Sequence, residues 1–217
     1  MLVPGVRQYH FARRLGYDRK HIVLNGLSAD MRLFDEVDIS LKKENYPHTF
    51  LFVGRLVRSK GIELIVKAWN EIKDKRGWKV VFIGSGDEKD RLLLDNTDGF
   101  IVYEYMQQKE LIQYTDKSGV FLLPSTYEPW SVVMHEFTAA GMPLLCSETC
   151  GAVPHFLING YNGYTFDTGD YKSLKDRMEK FMAMSEEDLY KMAENSKKLA
   201  PQITPEFAAA SIISVLK

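Results

Sequence analysis

The sequence predicts an α/β domain: a doubly wound, Rossmann-like parallel sheet of about six strands with helices on both faces. Three observations carry this. From about His48 onward, short apolar runs of strand length alternate with segments of helical period. The runs are apolar at consecutive positions rather than at every second one, as in strands covered on both faces. The polar, glycine-bearing stretches come immediately after those runs, where open parallel sheets bind ligands.

Each element has its own signal. The apolar, aromatic run His48–Val53 ends at Gly54-Arg55, and Gly61–Lys75 follows with Ile62, Leu64, Ile65, Ala68, Trp69 and Ile72 at helical spacing. Trp78–Ile83 is a second strand, ending in Gly84-Ser85-Gly86, and Asp87–Leu94 reads as a helix. Phe100–Tyr105 is a third strand before a short helix, Gln108–Lys117. Val120–Pro124 is a fourth strand, Ser131–Ala140 a helix, Pro143–Cys146 a fifth strand and Tyr164–Asp167 a sixth. The stretch Tyr171–Lys217 reads as three helices. Ser185 caps the middle one, with Glu186, Glu187 and Asp188 in its first turn, and Pro205 stands in the first turn of the last. Residues 1–45 follow a different pattern: a helix over Val6–Leu15, a strand over His21–Leu24, an Asn25-Gly26 turn and a charged, linker-like Asp35–Tyr46. They resemble the tail of another domain.

Composition narrows the function classes. With 217 residues, 45% hydrophobic and 26% charged, the chain can bury a core of good size. A net charge of −1 supplies no global basic field for nucleic acid, so no nucleic-acid partner is expected. Cys146 and Cys150 have no further cysteine or histidine pair to complete a zinc site, and they fit a reduced, cytoplasmic setting. The N-terminus has no signal-peptide core and no apolar run reaches spanning length, while peripheral attachment to a membrane stays compatible with the sequence. No carboxylate cluster has metal-ligand spacing, so no bound metal or cofactor is expected. Oligomeric state leaves no mark on the sequence.

Four features carry chemistry. In Gly54–Gly61, Arg55 and Lys60 lie five positions apart between bracketing glycines, at the start of a helix; two cations there suit a diphosphate, although a surface loop carries such cations equally often. In Ser125–Glu136, Glu128 and Glu136 have seven residues between them. A helix starting near Ser131 would leave the amides of Ser131, Val132 and Val133 free for an anion. Glu136 would sit in the second turn of a largely buried helix and need a polar partner: ribose hydroxyls, an arginine or a backbone amide. Glu128 falls in the preceding loop, where a sugar or plain solvent is its surrounding. Gly84-Ser85-Gly86 with Glu104 about twenty positions on matches part of a dinucleotide fingerprint, but Lys89 occupies the third glycine position. His135 and Glu136, being adjacent on a helix, point to different sides and form no acid–base pair; His135 reads as a packing or surface residue.

At these residues the sequence resembles the C-terminal domain of the family 4 (group 1) retaining glycosyltransferases, which have the two-domain GT-B architecture. The likeness runs from about His21 to the C-terminus. It is carried by Phe52-Val53-Gly54-Arg55 with Lys60-Gly61, Gly84-Ser85-Gly86, Glu128 through Glu136, Ala139-Ala140-Gly141-Met142-Pro143 and Asn159-Gly160-Tyr161-Asn162-Gly163-Tyr164, with His21–Gly26 as the interdomain segment.

The resemblance implies a metal-independent transferase moving a hexose-type sugar from a UDP- or GDP-sugar to a glycan or glycolipid acceptor. It places Arg55 and Lys60 on the donor diphosphate and Gly54 and Gly84 beside the ligand. Tyr105 and Met106 would lie at the base, the Ser131–Val133 amides at the distal phosphate, Glu136 on ribose and Glu128 on the transferred sugar, with Arg55, Lys60 and Glu128 as the catalytic set. Residues 1–45 then read as the tail of the N-terminal domain and linker, 46–203 as the donor domain, and 204–217 as a helix returning toward the N-terminal domain. The acceptor half would be absent, leaving a chain that binds donor but transfers poorly. Ser131 stands where the family usually has glycine, Trp130 where phenylalanine is frequent and His155 where an acidic residue is common. Two rival readings are an NAD-binding oxidoreductase domain, built on Gly84, Gly86 and Glu104, and a catalytically silent nucleotide-binding module of the same fold.

Overall fold

Six apolar runs become six parallel strands: β1 (Thr49–Val53), β2 (Lys79–Ile83), β3 (Phe100–Tyr103), β4 (Val120–Leu123), β5 (Leu144–Ser147) and β6 (Gly163–Phe166). They lie in one sheet in the order β3-β2-β1-β4-β5-β6, all pairs parallel. The computed structural model describes residues 1–95 and 97–215. The central strands are buried at nearly every position, which is why they read as continuous apolar runs.

The helices are α1 (Val6–Arg14), α2 (Arg32–Asp35), α3 (Ile62–Glu71), α4 (Lys89–Asp95), α5 (Gln108–Thr115), α6 (Val132–Ala139), α7 (Val153–Phe156), α8 (Tyr171–Met182), α9 (Glu186–Leu199) and α10 (Pro205–Ile213). α3 packs against α8, while α2, α5, α6 and α9 form a second connected set. The sheet is thus covered on both faces, as the sequence predicts. Phe50 meets Phe181 of α8, and Phe121 stacks on Phe137 of α6 with ring centroids 4.8 Å apart. Ser185 accepts from the Asp188 amide at the start of α9, the cap the sequence implies, and Pro205 opens α10, where Thr204 accepts from the Phe207 amide.

Several local expectations are corrected. The third strand stops at Tyr103, which puts Tyr105 and Met106 in the following loop. The helix expected over Gly61–Lys75 ends at Glu71, because the chain then turns through Arg76 and Gly77, both with positive φ. His21–Leu24 is no strand; it supplies one parallel bridge, between Leu2 and Val23. Asp35–Tyr46, expected as a linker, sends Val37, Ile39 and Tyr46 into the main core together with Phe34. Even Lys42 is buried there, its ammonium donating to the Ser118 carbonyl. The helix expected to run to 217 spans Pro205–Ile213, and Leu216 and Lys217 lie outside the described residues.

Strand order reverses between β1 and β4. Two parallel strands diverge there, and their connections leave toward opposite faces, opening a crevice at the carboxyl edge. The loops after β1, β3 and β4 all empty into that crevice.

Candidate functional site

A cavity of about 990 Å³ opens at this switch point. Its walls are Val53, Gly54, Arg55 and Lys60 after β1, Tyr105 through Lys109 after β3, Val133 and Glu136 on α6, and Asp30, Arg32 and Leu33 from the segment entering α2. Seven of the residues singled out in the sequence therefore share one cavity: Gly54, Arg55, Lys60, Tyr105, Met106, Val133 and Glu136.

The cationic side is built by close backbone approach. The Thr126 amide donates to the Ser59 carbonyl at 2.9 Å, which ties the β1 loop to the β4 loop. Gly61 makes this contact possible, since a Cβ there would sit 2.1 Å from the Pro124 carbonyl oxygen, and its φ of +72° also favours glycine. Lys60 is thereby brought to Glu128, and the two form an ion pair that is largely shielded from solvent. The same Oε2 of Glu128 accepts from the Ser125 hydroxyl at 3.3 Å. Glu128 itself stands beside the cavity, behind Lys60, rather than in its wall. Arg55 is exposed at the rim, and its guanidinium has no acidic partner among the described residues.

Ser131 caps α6, accepting from the Met134 amide at 3.1 Å. It does so with φ +99° and ψ +91°, a conformation side-chain-bearing residues rarely adopt. The amides of Ser131, Val132 and Val133 have no acceptor among the described residues, as an N-terminal helix turn requires. Val133 reaches the cavity, whereas Ser131 is buried and Val132 half-exposed beside it.

Glu136 is 6% exposed and lines the same cavity. Its polar partner is Gln108, whose Nε2 donates to Oε1 at 2.5 Å. Burial raises its carboxyl pKa, the Gln108 bond opposes that rise, and the nearby charge of Asp30 adds to it. Asp30 in turn forms a two-pronged pair with Arg32, at 2.9 and 2.5 Å, at the cavity mouth. The sequence reading missed Gln108, Asp30 and Arg32.

Two expected site residues are reassigned. Gly84 does not line the cavity; a Cβ on it would lie 1.9 Å from the Gly54 carbonyl oxygen, so this glycine packs the β2 loop behind the β1 loop. Glu104, the ribose-binding position of a dinucleotide fingerprint, is instead exposed and paired with Lys89, the residue at the third-glycine position. The NAD-type reading loses two of its three anchors, Gly84 and Glu104.

The two histidines are structural neighbours of the site. His135 is fully buried and stacks on Phe156 at 4.1 Å. Its Nδ1 accepts from the Ala29 amide at 3.2 Å, which leaves Nε2–H to donate to the Ala200 carbonyl at 3.0 Å. Burial lowers its pKa to about 4, so the ring is neutral at pH 7. His155 accepts from the Val6 amide and lies edge-on to Trp130, seating α1 on the β4 loop. Among the described residues, no group of three or more His, Cys, Asp or Glu side chains is arranged to hold a metal ion. No helix among them is long and apolar enough to cross a membrane.

Fold and site together define a Rossmann-like domain with a cationic loop and a buried carboxylate lining one cavity at the switch point. Residues 34–199 match the family model of glycosyl transferases group 1, and the chain belongs to that family. It is 30% identical over 146 residues to an uncharacterized glycosyltransferase of Methanocaldococcus jannaschii, a match covering 62% of this chain and 37% of that protein. The match thus spans well under half the length of this relative. The fold is that of sucrose-phosphate synthase from Thermosynechococcus elongatus (TM-score 0.83, 20% identity, 99% of this chain and 57% of the other). It is likewise that of Anabaena HepE, solved in complex with UDP and glucose (TM-score 0.77, 16% identity, 99% and 62%). At such identities these two likenesses carry the fold, which is one half of the GT-B architecture.

Proposed function

We propose that this chain is the donor-binding half of a retaining glycosyltransferase and that its cavity holds a UDP- or GDP-sugar. The observation that carries the reading is the pairing, across one cavity at the switch point, of a cationic loop with free helix amides and a buried carboxylate. A nucleoside diphosphate presents the matching sequence of groups: ribose hydroxyls that donate, then phosphate oxygens that accept. HepE's complex with UDP supports the same choice by fold analogy.

In this reading Glu136 accepts from the ribose and the loop at Tyr105 and Met106 receives the base. Arg55, Lys60 and the amides from Ser131 to Val133 hold the diphosphate. As the sugar departs, negative charge grows on the diphosphate, and those fixed positive groups stabilise it, which supplies much of the catalysis. Retention follows when acceptor attack and leaving-group departure share one face of the sugar. Glu128 holds Lys60 in place through Oε2 and turns its other oxygen toward the transferred hexose. The acceptor is a glycan or glycolipid, no metal is required, and the complete protein works in the cytoplasm or at a membrane surface.

A thermal-shift screen against UDP-sugars, GDP-sugars and NADH tests the reading. A specific donor at a hundredfold excess over its Kd stabilises the fold by about 2.7 kcal/mol. Stabilisation by NADH alone, or by none of the nucleotide sugars, would sink it.

A further inference from the structure

Glu136 and Gln108 come from distant parts of the sequence and meet only because α5 and α6 both abut α2 at the carboxyl edge. Gln108 is the first residue of α5, and that helix start is fixed: the Gln107 amide donates to the Glu110 carboxylate at 2.9 Å. The Gln108 side chain therefore leaves a rigid position and reaches Glu136 Oε1 at 2.5 Å, inside the cavity both residues line. An amide that donates to one oxygen of a carboxylate fixes the plane of that carboxylate and leaves the second oxygen's lone pairs aimed elsewhere. Here the second oxygen has no hydrogen-bond partner among the described residues.

We propose that Gln108 is a positioning residue for donor binding: it clamps one oxygen of Glu136 so that the other is presented to the ribose hydroxyls. The proposal rests on the donor reading above, and adds to it a residue from the β3 crossover. Gln108 touches Glu136 rather than the reacting atoms. Its effect should appear in how well the chain distinguishes a nucleotide that has ribose hydroxyls from one that lacks them.

The test uses UDP and GDP, each against its 2′,3′-dideoxy counterpart, with the wild-type chain and with Gln108→Met. Gln108 is an exposed residue, so this substitution leaves the core intact. The wild type should prefer the ribose form of the nucleotide it binds by about 20-fold, the size expected for hydrogen bonds to a charged group. In Q108M that preference, read as the ratio of the two forms within one protein, should fall to about threefold.

A second readout is the pH profile. Removing the Gln108 bond removes an influence that lowers the Glu136 pKa, so the acid limb of ribonucleotide binding should move to higher pH in Q108M. Asp30, Arg32, Arg55, Lys60 and Lys109 also face this cavity, and they are the same in both proteins. The difference between the two profiles therefore reports the lost bond.

Retention of the full preference in Q108M, with an unmoved acid limb, would overturn the proposal while leaving the donor reading standing. A wild type that binds ribose and dideoxy forms equally would overturn the ribose role of Glu136 itself, and the proposal with it.

Discussion

The two ends of the cleft hold charge in opposite ways. At one end a carboxylate, Glu128, is placed against a cation, Lys60, and Arg55 stands free beside them. At the other end a carboxylate, Glu136, is buried with only a neutral amide for company, and its pKa is raised by that burial. The first end is mutually neutralised and keeps a surplus positive charge for a ligand. The second stores the cost of an underpartnered carboxylate, which a hydroxyl-bearing ligand can relieve. The two glutamates stand eight positions apart, and the sequence already separates them, Glu128 in a loop and Glu136 in a buried helix; the structure shows how unlike their surroundings are.

The largest effect should come from stripping the cationic end. The double replacement Arg55→Ala with Lys60→Ala removes two charge-assisted contacts of about 2 kcal/mol each, so affinity for UDP or GDP should fall about 800-fold by calorimetry. Unchanged affinity would break the assignment of that end to the diphosphate.

Replacing the other carboxylate separates binding from stability. Glu136→Gln should weaken ribonucleotide binding by about tenfold, since a neutral oxygen accepts less strongly than a charged one. It should also stabilise the ligand-free fold at neutral pH. An acid whose folded pKa is raised destabilises the fold fully above that folded value and not at all below its unfolded value. The gain from E136Q should therefore be present at pH 7 and vanish once the pH drops below the ordinary carboxylate range. Denaturation at several pH values checks this, and a gain that grew toward acid would contradict the burial argument.

These two ends also show what a sequence discloses. The sheet was legible because β1, β2, β4 and β5 are covered on both faces and so leave unbroken apolar runs. The loops after them were legible through topology as opening at the carboxyl edge, and Arg55 and Lys60 do line the cavity there; Glu136 was marked by being a carboxylate in a largely apolar helix. Gln108 was not, because nothing local marks a glutamine that acts by meeting a residue of another crossover. Gly84 was misplaced for a related reason: a glycine required by a neighbouring loop's carbonyl has the same one-letter signature as one required by a ligand. Asp35–Tyr46 was misread because its core residues, Val37, Ile39 and Tyr46, follow neither the helical nor the strand period.

A smaller effect distinguishes the ion pair from a simple charge count. Glu128→Gln frees Lys60 from its shielded partner, so UDP should bind about threefold more tightly, a gain of about 0.7 kcal/mol. If Glu128 contacts the hexose as proposed, transfer from a UDP-sugar by the complete protein should nevertheless slow. Weaker UDP binding in E128Q would show instead that Lys60 needs the carboxylate to be aimed.

The smallest expected change lies between the two ends, at Ser131, where the anion-facing amides begin. Its φ of +99° costs a side-chain-bearing residue about 1–3 kcal/mol, and glycine adopts it freely. Against that gain, Ser131→Gly gives up the cap bond to the Met134 amide, worth a few tenths when glycine replaces serine, and adds roughly 0.5 kcal/mol of unfolded-state entropy. The balance favours the variant by about 1 kcal/mol, or roughly 3 °C in Tm for a chain of this size. The backbone amides keep their places, so nucleotide affinity should stay within about twofold of the wild type. A lower Tm would mean that the cap bond outweighs the strain. A higher Tm with lost affinity would mean that the strain itself, fixed by the serine hydroxyl, keeps those amides turned toward the ligand.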